Sequence, residues 1–215
     1  MPRVKNQRRK LIHGRIFIEL TLETGEKLLI RPQRVKNFNK SPETEIDSDL
    51  YQQLEEENWR NQLYFRLQRF LKIRPRSVQE TRLYLQQAKF GPPNEKREKI
   101  ITELLQELQK EGQLDDQSFA RWWIQQRRQG LRPKGPRAIY AELRQKGIDP
   151  TLATSLIDAL SPEEDLILAR QLLEKFKKRQ KANSRWQQKA AAYLKRRGFS
   201  YEVIRKIVAL QSQKG

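Results

Sequence analysis

The sequence predicts a mainly α protein: three tandem three-helix repeats forming an elongated or curved array, preceded by a short N-terminal β-hairpin. Three observations carry that expectation. Beyond Trp59 apolar residues recur every three or four positions, as in Leu63, Leu67, Phe70 and Leu71, and later Ile100, Ile101, Leu104, Leu105 and Leu108, the period of an amphipathic helix. The stretches "ELRQKGIDPTLATSLIDAL" (142–160) and "YLKRRGFSYEVIRKIVAL" (193–210) carry nearly the same punctuation. Only 36% of the 215 residues are hydrophobic and the mean hydropathy is −0.91, little for one deep core but enough for short units that share a core with a neighbour.

Residues 1–40 hold 11 Lys and Arg against three acids. Within them "RIFIELTL" (15–22) alternates, with Ile16, Ile18 and Leu20 on one face and Phe17, Glu19 and Thr21 on the other, as a strand requires. "ETGEK" offers Gly25 for a tight turn, and "KLLIRP" is the return strand, ended by Pro32. An isolated two-stranded hairpin is marginal in water, so this one is expected to lean on the first helix. Residues 41–58 form an acidic linker with Glu43, Glu45, Asp47, Asp49, Glu55, Glu56 and Glu57 and no basic residue. It reads as solvated linker plus helix start, where acids suit the dipole, or as an acidic strap over a basic body.

The repeat is anchored on Leu143 and Leu194. Five residues after each, just past Gly147 and Gly198, come Ile148 and Phe199, and glycine there suits a left-handed helix C-cap. The following helices place Leu152, Ala153, Leu156 and Ile157 in one copy where Val203, Ile204, Ile207 and Val208 stand in the other. A worn third copy runs from Leu85 to Phe90, with Lys89 in place of the glycine and "GPPNEK" as an insertion before Ile100. An apolar helix precedes each copy, giving units at roughly 60–110, 114–161 and 162–212.

Zero cysteines and a single histidine, His13, exclude disulfides, thiolate nucleophiles and a Cys or His zinc site. No apolar run approaches a membrane span, and the N-terminus lacks the apolar core of a signal peptide. A cytoplasmic monomer without cofactor or enzymatic chemistry is expected. The net charge of +19 favours polyanions or acidic protein surfaces. It concentrates in 121–148, with eight basic residues and one acid, and 170–206, with 13 and two. The candidate binding residues are Arg121, Arg127, Arg128, Arg132, Lys134, Arg137, Arg144, Lys146, Lys195, Arg196 and Arg197.

Three smaller motifs have competing readings. Asp115–Asp116 before "QSFARWW" suits a helix cap better than an acid pair, because neighbours on a helix do not face each other. Trp122–Trp123 suits core better than a base-stacking platform. In "RPKGPR" (132–137), Gly135 and Pro136 open a helix. Its free N–H groups beside Arg132, Lys134 and Arg137 could also receive an anion, and the two readings stand level.

Three segments resemble the RecX family of RecA regulators. "RPRSVQETRLYL" (74–85) is similar to the family's Arg-x-x-Ser-x-x-Glu-Leu pattern, with Thr81 in place of Leu. "EGQLDDQSFARWW" (111–123) resembles the acidic-Gly-aromatic-Leu-Asp-Asp-x-x-Phe-Ala segment, with Gln113 in place of the aromatic. "KGPRAIYAELRQKGID" and "YLKRRGFS" resemble the Lys-Gly-x-x-x-Ile-x-x-Glu-Leu-x-x-Lys-Gly-Ile and Arg-Gly-Phe-Ser signatures. The resemblance spans about 60–210. It implies a non-enzymatic regulator, an inhibitor, that binds the RecA–DNA filament and modulates recombination, repair and the SOS response. Single- or double-stranded DNA is implied as a second partner. Charge alone equally suits a sequence-nonspecific nucleic-acid-binding module with no protein partner.

Overall fold

The computed structural model describes residues 2–35, 45–177 and 185–212; Glu43 of the acidic segment lies outside them. The chain divides into two compact units, residues 1–74 with 81–113 and residues 75–80 with 114–215.

The first unit contains an antiparallel sheet of three strands in sequence order, β1 (Val4–Ile12), β2 (Arg15–Leu22) and β3 (Lys27–Ile30). The expected hairpin is β2–β3, with Leu20 opposite Leu28 and Ile18 opposite Ile30. Strand β1 was not expected. Its sequence hides it because only Val4 is buried and the six residues from Lys5 to Lys10 are all charged or polar, a composition that protects a sheet edge from further pairing. It joins β2 through His13 (φ 50) and Gly14 (φ 72), the two positive angles of a type I′ hairpin turn. The expected split of β2 faces also fails at one end: Phe17 is fully buried and Ile16 is exposed. Phe65 of the first helix explains it, with its ring 5.2 Å from that of Phe17.

That helix, α1, runs Ser48–Leu71 and is capped by Asp47, whose side chain accepts from the Leu50 amide at 2.7 Å. The acidic segment is therefore helix from Ser48 onward. The sheet leans on it: Leu20, Leu22, Leu28 and Ile30 share a core with Ile46 and Leu54. Two buried asparagines close the open edge of β3. Asn58 accepts from the Leu29 amide at 2.9 Å and Asn61 donates to the Leu29 carbonyl at 2.9 Å.

Helix α2 (Val78–Gln86) and α3 (Asn94–Lys110) complete the first three-helix set. Here the worn copy departs from the others. Leu85 is buried as expected, but Ala88 takes the buried place after it and Phe90 is partly exposed. Lys89 has no easy access to a left-handed cap, and the positive φ moves to Gly91, at 111°. Arg97 ties this loop, donating to the carbonyls of Ala88 and Phe90 at 3.1 Å each.

The second unit holds α4 (Asp116–Gln129), α5 (Pro136–Gln145), α6 (Pro150–Asp158), α7 (Pro162–Lys177), α8 (Trp186–Arg196) and α9 (Tyr201–Ser212). Two cores match position for position. Ile139, Leu143, Ile148, Ala153 and Leu156 sit in one, and Ala190, Leu194, Phe199, Ile204 and Ile207 in the other. Both glycine joints are Schellman caps. Ile148 N donates to Leu143 O at 3.0 Å and Gly147 N to Arg144 O at 3.0 Å; Phe199 N donates to Leu194 O at 3.3 Å and Gly198 N to Lys195 O at 2.9 Å.

Candidate functional site

Each Schellman cap in the second unit is also a docking point. The N-terminus of α5 meets the C-terminus of α8: Gly135 N donates to Arg197 O at 2.8 Å and Arg137 N to Gly198 O at 3.1 Å. A helix start leaves N–H groups unpaired and a helix end leaves carbonyls unpaired, so the two ends satisfy each other with opposed dipole charges in contact. Only glycines permit the approach. A Cβ on Gly135 would lie 2.5 Å from Gly198 O, and one on Gly198 would lie 2.3 Å from Ala138 N. The anion site considered for this helix start is thereby ruled out, because its amides are bonded or covered.

The same device operates one repeat earlier. Ser77, just before α2, donates through Oγ to Lys146 O at 2.7 Å and accepts from Glu80 N at 3.0 Å. A Cβ on Gly147 would meet Gln79 Cβ at 2.4 Å. The two joints differ in charge. At the first, Lys146 Nζ pairs with Glu80 at 2.6 Å. At the second, the residue in the corresponding turn is Ala138 and the C-cap cation is Arg197. Arg197 pairs with no carboxylate among the described residues; it lies over the Tyr193 ring at 5.5 Å and donates to Arg132 O at 3.2 Å.

The second joint thus gathers Arg132, Arg137, Lys195, Arg196 and Arg197, which lie about sixty residues apart in the sequence. All but the half-buried Arg197 are exposed. Of the other candidates, Arg121 and Arg144 are exposed on α4 and α5, and Arg144 donates to Ile148 O. Four of the candidates are committed elsewhere. Arg127 and Lys134 both pair with Glu142, Arg127 at 2.7 Å, and Arg127 also covers the Trp123 ring at 4.2 Å. Arg128 is buried on Asp165 at 2.6 Å, with Glu164 at 3.1 Å. Lys146 is held by Glu80 and lies 4.9 Å from the Trp123 ring.

Glu142 is the hub of this arrangement, accepting also from Trp123 Nε1 at 2.9 Å. Burial raises its pKa, but the hydrogen bonds from Lys134, Arg127 and Trp123 outweigh burial and hold it below the ordinary carboxylate range. Trp123 is core, as expected, with its ring covered by cations instead of open to a base. Asp115 caps α4 by accepting from Gln117 N and Ser118 N at 3.0 Å each. Asp116 reaches instead to Val78 N at 2.8 Å, a tie between repeats that the Asp-Asp pair did not suggest. Asp165 holds the equivalent first-turn place in α7 and reaches back to Arg128. Among the described residues no three His, Cys, Asp or Glu side chains gather as a metal site, and no helix is long and apolar enough to cross a membrane.

This geometry, two three-helix sets joined by glycine caps, is matched by known proteins. Residues 115–156 match the second three-helix domain of RecX and residues 163–208 the third. A regulatory protein RecX of Mycobacterium leprae is 32% identical over 139 residues, covering 63% of this chain and 78% of that protein. The chain belongs to the RecX family. A RecX of Geobacillus thermodenitrificans is 34% identical over 142 residues, 65% of this chain, and that match spans 50% of its length. A RecX of Bacillus subtilis is 31% identical, with 49% of its length matched. The fold agrees with a crystal structure of a regulatory protein RecX, covering 96% of this chain and 98% of that one at a TM-score of 0.72 and 21% identity. It agrees also with RecX from Lactobacillus salivarius, at a TM-score of 0.61 over 72% of this chain and 97% of that one, with 21% identity. The signature residues of this RecX-family chain prove to be joint builders. Glu142 is a hub, Lys146–Gly147–Ile148 a cap and docking point, and Asp115–Asp116 a cap and a tie.

Proposed function

We propose that this chain inhibits the RecA recombinase by docking the basic surface of its second unit on the RecA–DNA filament, as a binding protein without chemistry of its own. The observation that carries the reading is the uncompensated joint. Where the earlier joint neutralises its cap lysine with Glu80, the later one leaves Arg132, Arg137, Lys195, Arg196 and Arg197 without a carboxylate among the described residues. Clustered cations of that kind are complementary to an assembly that presents phosphate and carboxylate together.

The test is RecA filament assembly, ATP hydrolysis and strand exchange with and without the protein. Wild type is expected to inhibit at stoichiometric levels. Two charge-reversal variants, Arg132→Glu with Arg137→Glu and Lys195→Glu with Arg196→Glu, are each expected to weaken inhibition by about tenfold, with helicity unchanged. Lys134 is left out of the first set because reversing it would face Glu142. Inhibition at wild-type strength in both variants would overturn the reading. Tight binding to bare DNA with no effect on RecA would favour a general nucleic-acid module.

A further inference from the structure

Beside the basic joint lies a cavity of about 450 Å³ formed by the α4–α5 loop, α7 and α8. Leu131, Leu172, Phe176 and Tyr193 supply its apolar lining, and Arg132, Lys175 and Arg197 its charge. Leu131 is 87% exposed, an unusual position for a large aliphatic side chain, while Leu172 is 1% exposed and anchors the lining to the core. None of the three cations pairs with a carboxylate among the described residues. We infer that this cavity takes one large apolar side chain from an acidic segment of a partner protein, with the cations receiving the flanking carboxylates.

The aromatic geometry selects that occupant over a nucleobase. A base would need an open ring face to stack on. Here the faces are used within the protein. Phe176 and Tyr193 are stacked at 4.6 Å and 16°, Trp186 lies 5.6 Å from Phe176 at 32°, and Arg197 covers Tyr193 at 5.5 Å. What remains is ring edges, whose partial positive charge attracts carboxylates and the faces of an incoming aromatic ring, together with the aliphatic surface of Leu131 and Leu172. A buried apolar anchor with complementary charge around it is the usual form of a binding hot spot. The inference deepens the reading of the chain as a RecA regulator, since it describes the protein side of that contact.

Two acidic peptides differing at one residue provide the probe: acetyl-Asp-Glu-Phe-Glu-Asp-amide and its Phe-to-Ala counterpart. They are titrated onto the full chain at one fixed low salt concentration, alongside a five-residue oligothymidylate. The Phe peptide is expected to bind roughly tenfold more tightly than the Ala peptide. Leu131→Asp and Arg132→Glu, both at exposed positions, are expected to abolish that difference while the denaturant midpoint stays at its wild-type value. Equal affinity for the two peptides would overturn the inference. So would tighter binding of the oligonucleotide with the same sensitivity to Leu131→Asp. Peptide selectivity without any effect on RecA filaments would leave the cavity standing and overturn the regulator reading; inhibition of RecA without peptide selectivity would do the reverse.

Discussion

Glu142 shows how one carboxylate decides which cations are available for binding. It accepts from Trp123, Arg127 and Lys134, so two of the eleven basic candidates are fixed by a structural duty. Its own pKa is lowered, because those bonds outweigh the burial that would raise it. Glu142→Gln is expected to cost about 1–3 kcal/mol by leaving Arg127 and Lys134 without their counter-charge, measured by urea unfolding. The loss should shrink in acid, where wild-type Glu142 is itself protonated; an undiminished loss there would show that the charge is not the cause. In the sequence Glu142 is a single acid among eight basic residues of 121–148. Its sign marked it as unusual, but which of the eight it holds depends on where α4 and the α4–α5 loop lie against α5.

The glycine joints belong to the scale of elements, where two separate physical reasons for a glycine can be told apart. Gly112 and Gly198 both have positive φ, 69° and 85°. A Cβ on Gly112 meets nothing within 4 Å, whereas one on Gly198 would meet Ala138 N at 2.3 Å. Gly112→Ala is therefore expected to cost about 1 kcal/mol, the backbone preference alone. Gly198→Ala should cost more than about 3 kcal/mol, because the α5–α8 contact must also open. Urea midpoints of the two variants measure the difference, and equal losses would mean that the close approach contributes nothing. The left-handed cap was legible from the spacing Leu143–Gly147–Ile148 and its copy. The close approach was not, since it depends on a helix start sixty residues earlier in the chain.

At the scale of the whole molecule, +19 is a total that conceals local balance. In the first unit four arginines, Arg15, Arg31, Arg34 and Arg60, converge on Glu107, at 2.8 Å, 3.0 Å and 2.6 Å for the first three. Burial opposes the charge of Glu107, but the hydrogen bond and charge of Arg31, with Arg60 and Arg34, lower its pKa from 4.5 to about 2. A lowered carboxylate stabilises the fold fully above its unfolded value and loses that contribution as pH falls through its folded value. Stability to urea is therefore expected to decline between about pH 4.5 and about pH 2, and Glu107→Gln should flatten that decline. A variant that keeps the wild-type slope would assign acid sensitivity to other groups. The sequence by itself determined the helical class, the hairpin β2–β3, the repeat and the glycine caps, because each rests on contacts within some twenty residues that periodicity and turn chemistry record. It concealed β1, whose charged edge carries no alternation, and the closing turn of α2, where Lys89 displaced the cap. Only the tertiary structure decided which cations are spent and which are left. Ion pairing depends on carboxylates brought close from distant segments, and a joint with Glu80 is neutral where the equivalent joint with Ala138 is not.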